Sequence, residues 1–221
     1  MKAHPIALTL VALFALASLS GCALDNIAAR QDGMTGLWEE LAGPLTFGQS
    51  FVSASDNLYR IDLSTATYAR TNSAPVIFHL RSSPTAGSDI YSASVPGPEI
   101  QNDRPTSFLF PPLPDSRGRS YYFFIESPGS EAGDAITVYA NQNDQYPGGT
   151  AYRDGKAVPG DLAFKAYSRE VFTFARVWGD FLARAGGDLP FCLCYGGLIL
   201  GACAGLAWAL RRRARLPGPR G

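Results

Sequence analysis

From Gln49 to Ser168 the apolar residues repeat with a period of two, in short runs separated by Gly, Pro, Asn, Asp and Ser. "NLYRIDLSTATYAR" sets Tyr59, Ile61 and Leu63 against Arg60, Asp62 and Ser64, and "PVIFHLRS" sets Val76, Phe78 and Leu80 against His79 and Arg81. Side chains alternate between the two faces of a strand, so this period predicts strands with one buried face, and no helical period runs among them. "GQSFVS", "DIYSASV", "SFLFPPL", "SYYFFIES", "AITVYAN" and "DLAFKAYS" extend the pattern to eight or nine strands. Strands of this length with turn clusters between them predict an all-β fold, an antiparallel jelly roll or β-sandwich. The sequence further predicts a C-terminal amphipathic helix and one transmembrane helix.

Cysteine supports this division. Cys22 follows an apolar leader, Cys192, Cys194 and Cys203 fall in a C-terminal apolar run, and the predicted sandwich between them has none. That domain is therefore held by packing rather than by disulfides, and it offers no thiolate for a metal or a nucleophile. Charge is divided as well. All 19 acidic residues lie between Cys22 and Leu210, whereas six of the 19 Lys and Arg lie outside that interval, five of them in the last eleven residues. A body that is net acidic argues against nucleic acid as a partner, because its binders gather Lys and Arg on one face.

Both ends are apolar. Lys2, the run Ile6–Leu19 and the small residues after it have the three-part plan of an export signal over residues 1–21. Leu19-Ser20-Gly21-Cys22 resembles the lipobox of bacterial lipoproteins, which implies cleavage before Cys22 and a diacylglycerol on its thiol. Ordinary cleavage at Gly21-Cys22-Ala23 and an uncleaved anchor are the alternatives. Residues 189–210 carry no charge and suffice for a helix that crosses the hydrocarbon layer. The "RRRAR" that follows keeps the tail, residues 211–221, on the cytoplasmic side. The expected location is thus the bacterial cytoplasmic membrane, single-pass, with the module outside and the C-terminus within. Gly197, Gly201 and Gly205 are four apart, a small-residue face on which two such helices can pack, or else the incidental glycine common in spans. A removable C-terminal sorting signal is a further alternative for this segment.

Residues 22–43 read as an approach segment, with a helical turn or two in "MTGLWEELAG", and residues 44–168 as the module. In residues 169–187 the period changes: Val171, Phe174, Ala175, Trp178, Phe181, Leu182 and Ala185 recur three and four apart, as on one face of a helix. That face suits packing on the sandwich or lying in the membrane surface.

Gly48-Gln49-Ser50-Phe51, Tyr146-Pro147-Gly148-Gly149 with Ala151-Tyr152, and Asp161 through Tyr167 resemble jelly-roll modules of bacterial exported proteins, similar to carbohydrate-binding and discoidin-like domains. The resemblance covers roughly residues 45–168. It implies a displayed module; the glycosyltransferase-like activity of some proteins bearing similar modules does not carry over, because this chain lacks their many spans.

No catalytic constellation emerges: there is no nucleophile elbow, phosphate-cradling loop or zinc-binding His pair. No cofactor and no metal site is predicted. His79 reads as a strand residue on the face opposite Phe78 and Leu80. Asp103, Asp115, Glu126 and Asp134 are the carboxylates available for acid–base work, each in or beside a turn. "NQNDQYPGGTAYRDG" mixes aromatics and carboxamides suited to sugars, with Asn143, Asp144, Tyr146 and Tyr152 as the ligand-binding candidates, or is a long polar connection. The expected function is a membrane-anchored, non-enzymatic interaction module of the cell envelope. The alternatives are a glycan-binding module for envelope polysaccharide, and an oligomerising subunit or scaffold of an envelope complex.

Overall fold

The computed structural model of this chain describes residues 22–172 and 174–187, and beyond them residues 190, 193, 194, 197, 198 and 201. By its internal contacts the chain divides into two compact units, of which Ala23–Glu170 is one.

That unit is a β-sandwich. One sheet contains β1 (Cys22–Gln31), β2 (Gly36–Leu37), β4 (Leu58–Ala66), β7 (Arg104–Leu113), β9 (Thr137–Asn141), β12 (Asp161–Leu162) and β13 (Phe164–Phe172). The other runs β11 (Lys156–Val158), β10 (Ala151–Arg153), β3 (Thr46–Val52), β8 (Ser120–Glu126), β5 (Val76–Arg81) and β6 (Tyr91–Val95). Every pair with a described register is antiparallel. All eight stretches with period-two patterning form strands. In β4, Ile61 and Leu63 are fully buried while Arg60, Asp62 and Ser64 face outward, and β5 alternates in the same way.

The core lies between the sheets and is rich in phenylalanine. Phe78 of β5 stacks on Phe108 of β7 with centroids 4.5 Å apart, and Phe51 and Phe123 meet Phe164 of β13 at 5.7 and 5.5 Å. Each ring buries large apolar area and adds roughly 0.5–1.5 kcal/mol per well-oriented pair, so these contacts hold the sheets face to face without covalent help.

Strands β12 and β13 are one chain path interrupted at Ala163. Leu162 pairs with Ala140 of β9 and Phe164 with Leu63 of β4. Ala163 bridges the two neighbours: its N–H donates to Tyr139 O at 2.9 Å and its O accepts from Ser64 N at 2.9 Å. This seam brings β4, β9 and β13 together at one place.

Three expectations need correction. Residues 22–31 are a ten-residue strand of the sandwich rather than an approach segment, tied in by Ala54 N donating to Ala28 O (2.8 Å) and Asn26 donating to Glu170 (2.9 Å). "MTGLWEELAG" forms no helix, because its backbone pairs with β9: Trp38 N donates to Val138 O and Leu41 N to Ile136 O. The C-terminal helix α1 spans Phe174–Gly187, later than expected, since residues 169–172 continue β13. Arg169 is held to the sheet by its N–H on Asn57 O (2.9 Å) and its guanidinium over the Tyr59 ring (4.8 Å).

Among the described residues no helix is long and apolar enough to cross a membrane. The expected leader 1–21, most of the expected span 189–210, Gly205 and the expected tail 211–221 lie outside the described residues. Gly197 and Gly201 are described; both are helical and exposed, with open space where a Cβ would stand.

Candidate functional site

The four residues expected to bind a ligand are not brought together. Asn143 and Asp144 are exposed in the β9–β10 connection, with Asp144 in the left-handed region (φ 47°). Buried Asn141 organises that connection by accepting from Asn143 N (2.9 Å) and donating to Gln145 (3.1 Å). Tyr146 turns inward. Its ring meets Phe164 edge-on at 5.5 Å, and burial pushes its phenol up from the ordinary value, with a hydrogen bond to the Val52 backbone working the other way. Tyr152 lies on the outer face of the other sheet, edge-on to Tyr122 at 5.1 Å.

The glycines beside them have packing reasons. A Cβ on Gly149 would stand 1.7 Å from Ser50 O, and one on Gly48 would stand 2.5 Å from the Tyr122 hydroxyl and 2.7 Å from its ring. The stretches that resemble exported modules also join through a buried polar clamp. Gln49 points inward between Phe47 and Phe51, donates to Asp161 Oδ1 (3.1 Å) and accepts from Leu162 N (2.9 Å), while Asp161 Oδ2 accepts from Tyr146 N (2.8 Å). Burial raises the Asp161 carboxyl above its usual range, and those donors oppose the shift.

A concavity that gathers tyrosines and carboxylates lies elsewhere, on the outer face of the β4 sheet. Two depressions of about 240 and 350 Å³ adjoin through shared Met34, Ser64 and Pro105. The first is also lined by Tyr139 and Asp103, the second by Asp32, Asp62, Lys165 and Tyr167. The register explains the gathering: Asp62 pairs with Lys165 of β13 and Ser107 of β7, and Ser64 with Pro105, so alternate outward residues of three strands share one face.

The polar groups in this groove are held in place. Tyr139 donates its hydroxyl to Asp103 at 2.5 Å, and that hydrogen bond raises the phenol above its ordinary value. Asp103 adopts φ 55°, and Asn102 both donates to it and caps the preceding turn by accepting from Thr67 N (2.8 Å) and Ala69 N (3.2 Å). Asp32 pairs with Lys165 at 3.2 Å. Arg60 lies over the Tyr167 ring, 3.9 Å from its centroid, and pairs with Asp62 (3.2 Å) and Asp25 (3.1 Å). The result is a surface of apolar plates, Met34, Pro105 and the tyrosines, edged by fixed carboxylates that accept hydrogen bonds.

On the opposite sheet the outer face has an aromatic row rather than a cavity. His79 stacks on Phe124 at 4.3 Å and shares Asp89 with Arg81, and Phe124 stacks on Tyr122. His79 thus sits on the outward face, as its alternation predicts. The four candidate carboxylates are dispersed: Asp103 in the groove, Glu126 3.5 Å from His79, Asp134 bound to Ser73, and Asp115 in a turn. Among the described residues no three His, Cys, Asp or Glu side chains could hold a metal ion.

Apart from Asp103, the groove residues Met34, Tyr139, Tyr167, Asp32 and Asp62 are not singled out by the sequence. Their alternation was visible, yet Asp62 meets Lys165 only through the register of β4 with β13, and Tyr139 reaches the same face only through the pairing of β9 with β4. No family model matches this chain, and no curated protein is similar to it.

Proposed function

We propose that this chain is a non-catalytic recognition module of the bacterial cell envelope, a jelly roll tethered outside the cytoplasmic membrane by its C-terminal segment, with Cys22 carrying a lipid. The jelly-roll assignment is supported by nested pairing. Around the β5–β6 hairpin, β4 pairs with β7, β3 with β8, and β1 with β13, which gives the orders β1-β13-β4-β7 and β3-β8-β5-β6. A long hairpin rolled so that successive pairs fall in alternate sheets has this order.

The observation that carries the recognition reading is the groove of Met34, Tyr139 and Tyr167 edged by Asp32, Asp62 and Asp103. Apolar plates beside fixed acceptors match the two faces of a pyranose, whose C–H surface packs on rings and whose hydroxyls donate to carboxylates. A saccharide of the envelope is therefore the ligand class favoured. The residues that do this differ from those expected in the β9–β10 connection.

The test is saccharide binding by the full chain in detergent. Tyr139→Ala and Asp32→Ala should each weaken it about tenfold or more, about 1.4 kcal/mol, while Tyr152→Ala on the other sheet leaves it unchanged. Affinity lost in Tyr152→Ala and kept in Tyr139→Ala would reject this groove. Absence of binding to any envelope saccharide would favour the scaffold alternative.

A further inference from the structure

We infer that β6 is a self-pairing edge, through which a second copy of this chain extends the β3-β8-β5-β6 sheet by antiparallel strand addition. Strand β6 is the last strand of its sheet and pairs only with β5. Among the described residues no other backbone or side-chain hydrogen bond reaches Tyr91–Val95, so the donors and acceptors on its far side have no protein partner. Such an edge is a template for another strand unless something blunts it.

The other edges are short or blunted, β2 and β12 having two residues each. Strand β7 carries Arg104, Pro105, Pro111 and Pro112; β11 is three residues long and begins with Lys156; β1 carries Asp25 and Arg30 and is met by the Ala54 N–H. Strand β6, "YSASV", has neither charge nor proline. Its core-side residues Tyr91, Ala93 and Val95 are half-buried, with the Tyr91 ring 5.8 Å from that of Phe110 on β7, while no strand pairs with the far side of β6 and Ser92 and Ser94 are exposed on the outer face.

The occupant follows from the strand's own pattern. Hydrogen-bonded and non-hydrogen-bonded pairs alternate along an antiparallel ladder, so a two-fold axis can pass only through a residue facing its own copy. Ala93 is the middle of the five residues. Centred there, Tyr91 faces Val95 of the second copy, Ser92 faces Ser94, and Ala93 faces Ala93. Aromatic against β-branched and hydroxyl against hydroxyl are favourable cross-strand pairs, and no like charges meet. The same axis sets Ile90, 44% exposed, beside the second copy's Pro96.

Sedimentation of the full chain in detergent tests this, in a Gly197→Ile/Gly201→Ile/Gly205→Ile background that removes helix pairing. A dimer is expected. Ser92→Lys/Ser94→Lys sets lysines against lysines across the axis and should make it at least tenfold weaker, whereas Ser92→Lys/Ser94→Glu sets lysine against glutamate and should restore it. Both substituted positions are exposed, and unchanged circular dichroism controls for folding. A monomer in the background chain, or a dimer indifferent to both double substitutions, overturns the proposal; the first outcome leaves the edge for an extended segment of another protein.

Discussion

Replacing Gln49 with Leu tests whether the resembling stretches are kept for architecture. Gln49 and Asp161 are both fully buried, and the side chain of Gln49 is the sole described partner of Leu162 N and one of the donors to Asp161. Leucine fills similar volume and removes both bonds. An orphaned buried N–H costs about 1–3 kcal/mol, and a buried carboxylate stripped of a donor costs about 1.5–3 kcal/mol. The expected loss is therefore about 3–5 kcal/mol near neutral pH, or roughly 10 °C in Tm for a domain of this size.

The loss should also depend on pH. The folded-state carboxyl of Asp161 already titrates above its unfolded value, so its ionisation opposes folding, and this penalty is complete only above the folded pKa. Removing the Gln49 donor raises that pKa further. The difference between wild type and variant should shrink as the pH falls through the carboxylate range and Asp161 takes up its proton. Denaturant unfolding of the full chain at several pH values measures both effects. A loss under about 1 kcal/mol, or one of constant size from acid to neutral pH, would refute a buried clamp between β3 and β12.

Two further outcomes follow from the same account. Burial pushes the Tyr122 phenol up to about 12, with the Arg81 charge working against it, so the folded chain retains a proton that the unfolded chain releases near 10. Stability is then intact below that window and declines as the pH rises through it, and Tyr122→Phe should flatten the decline in urea titrations; an equal decline in the variant would contradict the assignment. For the membrane arrangement, protease added to intact spheroplasts should digest the sandwich and spare a reporter fused after Gly221, and the opposite pattern would reverse the topology.

The eight principal strands could be read from the sequence because most bury one face, which writes the period-two signal, while β8, buried on both faces, shows instead as a continuous aromatic and apolar run bounded by Ser120 and Glu126. Strand β1 could not. Its buried apolar residues Ala28 and Ala29 are adjacent and small, and its place is fixed by the β13 edge rather than by its own pattern. Strands of two or three residues, β2, β10, β11 and β12, are too short to show a period. The inward turn of Tyr146 was not legible, because a connection has no periodicity to reveal it. A clue to the clamp was present: in "TFGQSFV" the inward beat runs Phe47, Gln49, Phe51, so an amide between two phenylalanines required a buried partner. The groove was illegible for a different reason, since Tyr139, Asp62 and Lys165 each look like ordinary solvent-facing residues until strand register collects them.

Methionine offers the most direct measurement of the groove. The chain has two, Met1 and Met34, and Met34, 53% exposed, lines both depressions. In full-length protein carrying ¹³C-methyl methionine, adding an envelope oligosaccharide should move the Met34 methyl resonance saturably, and Tyr139→Ala should weaken that response about tenfold. Saccharide binding detected by calorimetry while the Met34 signal stays fixed would contradict the assignment of this face as the recognition surface.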